Sequence, residues 1–377
     1  MTSVTGAVPS REKPRRLLPA ETPLALLSAD GRPVHPAGLD MPGDDVLVRL
    51  HRLMVLGRRF DTQATALTKQ GRLAVYPSAR GQEAGEIGAV AALRAQDWLF
   101  PTYRDSMAVV ARGVDPVEVL TLLRGDWHCG YDPYAHRVAP QCTPLATNAP
   151  HAVGLAHAAR LKGEDTVALV MLGDGATSEG DTHTALNFAA VWNSPVVFFV
   201  QNNGYAISVP VAKQTAAPSL AHKGIGYGIP GLLVDGNDPA AVYAAVRRAV
   251  ESAADGGGPT LIEALTYRIE AHTNADDAAR YRPQAEVREW LDRDPVTRIR
   301  QYLLDRGLLD SAAQTALDAE AEAQAEDLRR RMNADTVPDP ADLFRFVYAE
   351  PTPALRREQR QLAAELEELT DEAGEMR

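Results

Sequence analysis

Two nearly unbroken apolar runs mark the middle of the chain, 166–172 (TVALVML) and 196–201 (VVFFVQ). Neither alternates with polar residues, so each reads as a strand covered on both faces. Shorter runs of the same kind lie at 231–234 and 260–265. Between the runs, apolar residues recur at helical spacing near 149–161, 181–192 and 239–254. Strand, helix, strand at this interval predicts a parallel sheet with crossover helices. Upstream, Val46, Leu50, Leu53 and Met54 share one helix face from Asp44 through Phe60. The stretch 80–97, rich in small residues, reads as a second, closely packed helix. The sequence DGGGP at 255–259 is a loop.

The flanks have a different texture. Residues 1–43 are rich in proline and charge and lack any period, which predicts an extended tail free to drape over a neighbour. After about 284 the chain turns helical and charged, and alanine and glutamate dominate 311–332, as on a solvated helix face. The expected division is therefore a tail over 1–43, an α/β domain over 44–285 and a helical region over 286–377. No internal repeat is present.

Composition narrows the chemistry. A 45% hydrophobic, 24% charged chain of 377 residues is an ordinary globular one, with room for one large domain and appendages. A net charge of −11 argues against a nucleic-acid surface. No apolar run approaches the ~18 residues of a membrane span. The first residues are basic but have no apolar core, so a secretory signal is not expected. Two cysteines, Cys129 and Cys142, make no disulfide framework; the expectation is reduced thiols and a cytoplasmic protein.

The candidate chemistry sits where the strands stop. Asp174, between Gly173 and Gly175, ends the first long run, and Asn203 follows the second. His272 follows the strand TLIEALTYRI. In an open parallel sheet, ligands bind beyond the carboxyl ends of the strands. A carboxylate and an amide oxygen suit magnesium, which takes few protein ligands and shares the rest with phosphate oxygens. The glycines let the backbone approach a phosphate, and the helix that begins near Gly180 offers free amides to the same anion.

A lone GDG is an ordinary turn. GDG followed by 26 residues and then NN, with a helix and a strand between, resembles the thiamine diphosphate-binding motif. The resemblance extends over about 45–365. The stretches QGRLAVYPSARGQEA, FPTYRD, TPLATNAPHAVGLA, LGDGATSEGDTHTALNFAAVWNSPVVFFVQNNGYAISVPVAKQT and LIEALTYRIEAHTNADDAARYR are similar to the alpha subunit of the 2-oxo acid dehydrogenase decarboxylase component. GYGIPGLLVDGNDP, LIEALTYRIEAHTNADDAARYR and VYAEPTPALRREQ lean toward the branched-chain enzyme; QNNGYAISVPVAKQT is also similar to pyruvate enzymes.

The resemblance implies the thiamine diphosphate-binding α/β fold with a helical C-terminal extension. It implies a magnesium ion held by Asp174, Asn203 and the carbonyl of Tyr205. Tyr103 and Arg104 would reach the diphosphate, with Thr143, Gly173, Gly175, Ala176 and Ile207 around the cofactor and Leu145 as the apolar wedge that bends it. His272 matches the catalytic histidine that faces the cofactor and an incoming lipoyl group. Relatives often hold potassium in the loop at 142–148, where Cys142 and Asn148 replace commoner serine and glutamine. Gln201 stands where the mammalian branched-chain enzyme has a diphosphate-binding arginine.

The reaction implied is oxidative decarboxylation of a 2-oxo acid and reductive acylation of a lipoyl acyltransferase. It needs a carboxylic acid beside the aminopyrimidine ring, which single-chain relatives carry on a second α/β domain. After His272 only 105 residues remain, and they read as helix. The acid is therefore expected from a beta subunit in an α2β2 heterotetramer. Two alternatives stay open: a pyruvate or acetoin dehydrogenase alpha subunit, and a non-catalytic scaffold subunit.

Overall fold

The computed structural model describes residues 17–35, 38–334 and 339–375. Its center is a five-stranded parallel sheet. We number the strands β1 (Trp98–Phe100), β2 (Ala168–Gly173), β3 (Val196–Asn202), β4 (Gly231–Asp235) and β5 (Thr260–Leu265). Their order across the sheet is β1-β2-β3-β5-β4. Even-numbered side chains of β2 and β3, Val170, Leu172, Phe198 and Val200 among them, form one core. That core packs against α4 (Asn148–Lys162) and α5 (Gly180–Val191), two of the helices numbered here with α1 (Asp44–Lys69), α2 (Glu83–Ala91), α3 (Ser106–Ala111) and α6 (Pro239–Ser252). On α2 a Cβ added to Gly88 would stand 2.9 Å from Val242 of α6, so the small residue sets the distance of that crossing.

The register brings the functional strand ends together. Gly173 pairs with Gln201, and Gln201 with Ala264. Asp174 and Asn203 thus leave the sheet on neighbouring strands, at the same end.

Several expectations need revision. The helix expected over 80–97 spans only Glu83–Ala91, and the chain then enters β1, which the pattern did not reveal. Three residues are too few to display a period, and β1 exists because Trp98–Phe100 pair in parallel with Ala168–Val170. The first helix runs past Phe60 to Lys69. The strand read as TLIEALTYRI ends at Leu265, so a loop separates it from His272.

Residues 1–16 of the expected tail lie outside the described residues. From Leu17 onward it packs on its own sheet: Leu24 bridges to Val234 of β4, and Leu26 and Leu27 are buried. The helices at Gln284–Leu291, Pro295–Asp305 and Ser311–Met332 also differ from the expected boundary at 285/286, because one compact unit runs through Arg331. Arg58 explains part of this. It pairs at 2.7 Å with Glu83 of α2 and at 2.7 Å with Asp294, ahead of the helix at 295. A second, smaller unit covers 332–377 and contains the helices Asp342–Arg345 and Pro353–Glu375.

Asp238 joins the amino-terminal segment to the sheet domain. It is fully buried and caps α6, accepting from the amides of Ala240 (3.0 Å) and Ala241 (3.1 Å) through Oδ1. Its Oδ2 accepts from the amides of Leu26 and Leu27, both at 2.6 Å. Burial nevertheless pushes the carboxyl up to about 6. Asp238→Ala removes a cap and strands two buried amides. The cost expected is about 2–4 kcal/mol, read as a lower denaturant midpoint and earlier proteolysis of the amino-terminal segment.

Candidate active site

β2 ends at Gly173, and a 3-10 turn over Gly175–Ser178 leads into α5. The turn draws Asp174 inside, where the residue is 2% exposed. Its Oδ2 accepts from Gln214 Nε2 at 2.7 Å. Among the described residues no cation pairs with it, and burial raises its carboxyl above the usual range. Gly175 is required by crowding: a Cβ there would lie 2.7 Å from Cβ of Ala206.

Asn203 stands one step past β3, 6% exposed. Its Nδ2 donates to Gln82 Oε1 at 3.0 Å, which turns Oδ1 the other way. Gly204 follows with φ +90°, the left-handed region that glycine tolerates, and a short hairpin pairs Tyr205 with Pro210. Ile207 is also in that region, at φ 55°, which for a β-branched residue is strained. Arg268 holds the strained turn. It is 1% exposed and donates from Nη2 to the Ile207 carbonyl at 2.8 Å and from Nη1 to the Tyr205 carbonyl at 3.4 Å.

The same guanidinium reaches His272. His272 Nδ1 lies 3.0 Å from Arg104 Nη2 and 3.3 Å from Arg268 Nη1. A guanidinium only donates, so Nδ1 is the acceptor and the ring proton sits on Nε2. Burial and then the charges of Arg104 and Arg268 push the imidazole down to about 4, against a smaller opposing pull from Asp276. Arg104 also donates to the carbonyls of Ser78 (2.8 Å) and His272 (3.1 Å), and Asp276 accepts from the His272 amide at 2.7 Å. The Tyr103 ring stands edge-on to the imidazole at 6.2 Å.

All twelve residues singled out in the sequence line one cavity of about 430 Å³. Gly173, Asp174, Gly175 and Ala176 come from the end of β2; Asn203, Tyr205 and Ile207 from the turn after β3. Tyr103 and Arg104 follow β1, and Thr143 and Leu145 come from the loop before α4. His272 completes the wall. Leu145 and Ile207 remain 44% and 55% exposed at its surface. The loop at 142–147 is laid beside the end of β1 by a bridge from Thr102 to Cys142. Asn148 anchors it, donating from Nδ2 to the carbonyls of Met171 (2.9 Å), Phe100 (3.2 Å) and Pro101 (3.3 Å). The Cys142 thiol donates to the Pro144 carbonyl at 3.2 Å.

The sequence reading missed Arg268, Gln82 and Gln214. Arg268 carried a signal, an arginine inside the apolar stretch Leu265–Ile269. The two glutamines carried none, since their roles depend on partners 40 and 121 positions away.

The His272 geometry has a consequence for pH. Unfolded, the imidazole takes a proton near 6.5; folded, it resists until about 4. The unfolded state therefore binds more protons between these values, and stability falls as pH drops from about 6.5 toward 4. Imidazole ¹⁵N spectra of the chain, assigned with His272→Gln, should show a neutral Nε2–H ring at pH 7 that stays neutral at pH 5.5. A ring half-protonated near 6.5 would contradict the arrangement.

Comparison with known proteins agrees with this geometry. The family described as "Dehydrogenase E1 component" matches residues 51–341. The 3-methyl-2-oxobutanoate dehydrogenase subunit alpha of Mycobacterium tuberculosis (strain CDC 1551 / Oshkosh) is 48% identical over 346 residues, covering 91% of this chain and 94% of that protein. The 2-oxoisovalerate dehydrogenase subunit alpha of Bacillus subtilis (strain 168) is 40% identical, with 73% and 87% covered. The pyruvate dehydrogenase E1 component subunit alpha of Bacillus cereus is 38% identical, with 86% and 88% covered. A parallel sheet with a cavity at its carboxyl end, a match over most of the chain and identities of this size lead to one conclusion: the chain belongs to the dehydrogenase E1 component family.

Proposed function

We propose that this chain is the alpha subunit of a branched-chain 2-oxo acid dehydrogenase, acting with thiamine diphosphate and magnesium. The observation that carries the reading is the meeting of Asp174, Asn203, Tyr103, Arg104 and His272 around one cavity. The branched-chain assignment leans on 48% identity to the 3-methyl-2-oxobutanoate enzyme's alpha subunit, against 38% to the Bacillus cereus pyruvate enzyme's.

The donors fit the metal. Among the described residues no three His, Cys, Asp or Glu side chains cluster to hold an ion by themselves. Asp174 is a buried carboxylate without an ion-pair partner among the described residues, beside the amide oxygen that Asn203 turns away from Gln82. Such a set suits magnesium completed by phosphate oxygens. A Cβ on Gly173 would meet nothing within 4 Å, so the backbone there is open to a ligand. Asp174, Asn203 Oδ1 and the Tyr205 carbonyl would hold the ion, and Arg104 and Tyr103 the diphosphate. Leu145 would supply the apolar wedge.

When bound, thiamine diphosphate supplies a nucleophilic carbon and an electron sink for decarboxylation. This chain's part is to bind, orient and hold protons. His272, neutral with its proton on Nε2, acts as a hydrogen-bond donor beside the reacting groups. The acid required beside the aminopyrimidine is not among the cavity's lining residues, of which Asp174 is the sole carboxylate among the described ones. A beta subunit supplies it, in an α2β2 assembly, and a lipoyl acyltransferase receives the acyl group.

Two outcomes test the reading. Asp174→Ala, in the assembled complex, should weaken magnesium-dependent cofactor binding in calorimetry by more than the ~10–100-fold typical of losing a supporting partner. Unchanged affinity would remove the metal assignment. The purified chain alone should show no turnover. With its beta subunit it should favour 3-methyl-2-oxobutanoate over pyruvate by more than about 10-fold, the discrimination a single methylene gives in an apolar pocket. Preference for pyruvate would move the chain to the second reading, a pyruvate dehydrogenase subunit.

A further inference from the structure

Behind Asn203 a row of buried side chains runs away from the cavity. Asn203 Nδ2 donates to Gln82 Oε1 at 3.0 Å, Gln82 Nε2 donates to Gln201 Oε1 at 3.0 Å, and Gln201 Nε2 donates to Asp105 Oδ1 at 2.6 Å. Each of the four residues is at most 6% exposed. Asp105 Oδ2 is occupied by the Thr102 amide and the Thr102 hydroxyl, both at 2.7 Å.

A primary amide presents an oxygen on one side and an NH2 on the other, so a row of amides has a direction. Here the direction is set at one end. The Asp105 carboxylate only accepts, so Gln201 must turn its nitrogen toward it. Gln201 then offers oxygen to Gln82, and Gln82 offers oxygen to Asn203. Asn203 must give its nitrogen to the row, which leaves Oδ1 for the other side. There it accepts only a long bond, 3.3 Å, from the Tyr205 amide. We infer that Asp105, Gln201 and Gln82 are positioning residues: an amide relay, polarised by the buried Asp105 carboxylate, holds the Asn203 oxygen toward the cation. The inference rests on the proposed magnesium site and explains how an amide, symmetric in shape, presents the correct atom. It also gives Gln201 a task other than binding diphosphate.

The logic predicts an action at a distance that charge or packing alone does not. In Asp105→Asn the carbonyl stays with the Thr102 donors and the new NH2 faces Gln201. Every amide then reverses, and Asn203 shows its NH2 to the cation. Gln82→Glu added to Asp105→Asn repairs this, because a carboxylate at 82 accepts from Gln201 and Asn203 together. The experiment is calorimetric titration of magnesium into the assembled complex at saturating thiamine diphosphate, with thermal melts of the cofactor-free complexes as a folding control.

Asp105→Asn should weaken magnesium by about 10–100-fold, the range for partners that orient a ligand. Asp105→Asn/Gln82→Glu should recover most of the loss. In a Gln201→Met background, where the relay is cut, Asp105→Asn should have a far smaller effect. Wild-type affinity in Asp105→Asn, or an equal loss in the cut background, would overturn the relay; the second result would mark a charge effect only. Asp174→Ala separates the two readings. If it too leaves magnesium binding unchanged, the metal site itself falls; if it abolishes binding while Asp105→Asn does not, the relay alone falls.

Discussion

Everything in the site depends on the parallel register of β2, β3 and β5. With Gly173 beside Gln201 and Gln201 beside Ala264, three strands expire at one level, and the residues that follow them share one rim. An antiparallel pairing would send consecutive strand ends to opposite edges and divide Asp174 from Asn203. Along this register apolar residues stand side by side, Val170 with Phe198 and Phe198 with Leu261, and all three are buried. Packing thus fixes the site before any of its polar residues act.

At that rim the polar groups divide into two kinds. Arg104 and Arg268 converge on His272 and suppress its protonation, so one wall carries two guanidinium charges and a neutral ring. The other wall carries Asp174, raised by burial and without an ion-pair partner among the described residues, the Arg268 charge exerting only a weaker opposing pull. A ligand that is both anion and cation, such as a magnesium diphosphate, complements both walls, whereas a lone anion or a lone cation complements one. Arg268 is doubly engaged: the guanidinium that depresses His272 also holds the carbonyls of Tyr205 and Ile207. The strained turn and the depressed imidazole are therefore mechanically linked.

The α/β alternation was legible because long, doubly buried strands leave continuous apolar runs, as at 166–172 and 196–201. The motif residues were legible because strand ends are where a carboxylate and an amide have no packing reason to be. β1 was not, since Trp98–Phe100 owe their strand to a partner about 70 residues on. The amino-terminal segment was not, because Leu26 and Leu27 are fixed by the carboxylate of Asp238, more than 200 positions away. Gln82 belongs to the same class: a polar residue before a helix looks like any other until its partner at Asn203 is in place. Local pattern reports what a residue does for its own element; supports between elements are silent in it.

The electrostatics of the cavity also bear on why this chain would act with another. Asp174 is its one carboxylate among the described lining residues, and a carboxylate that holds a divalent cation is poorly suited to move protons. His272 is another titratable candidate, yet burial and then two guanidinium charges keep it neutral, and the guanidinium groups fix its Nδ1 as an acceptor. Arg104 and Arg268, which add to the effect of burial on this ring, also support the loop at 272 and the turn at 205–207. Among the described lining residues the anchoring half holds no carboxyl group besides Asp174 to serve as the acid beside the aminopyrimidine. In the proposed reaction that acid is indispensable. Under the proposed function, a division of labour follows from the lining of the cavity: this chain anchors the cofactor and a partner supplies the acid.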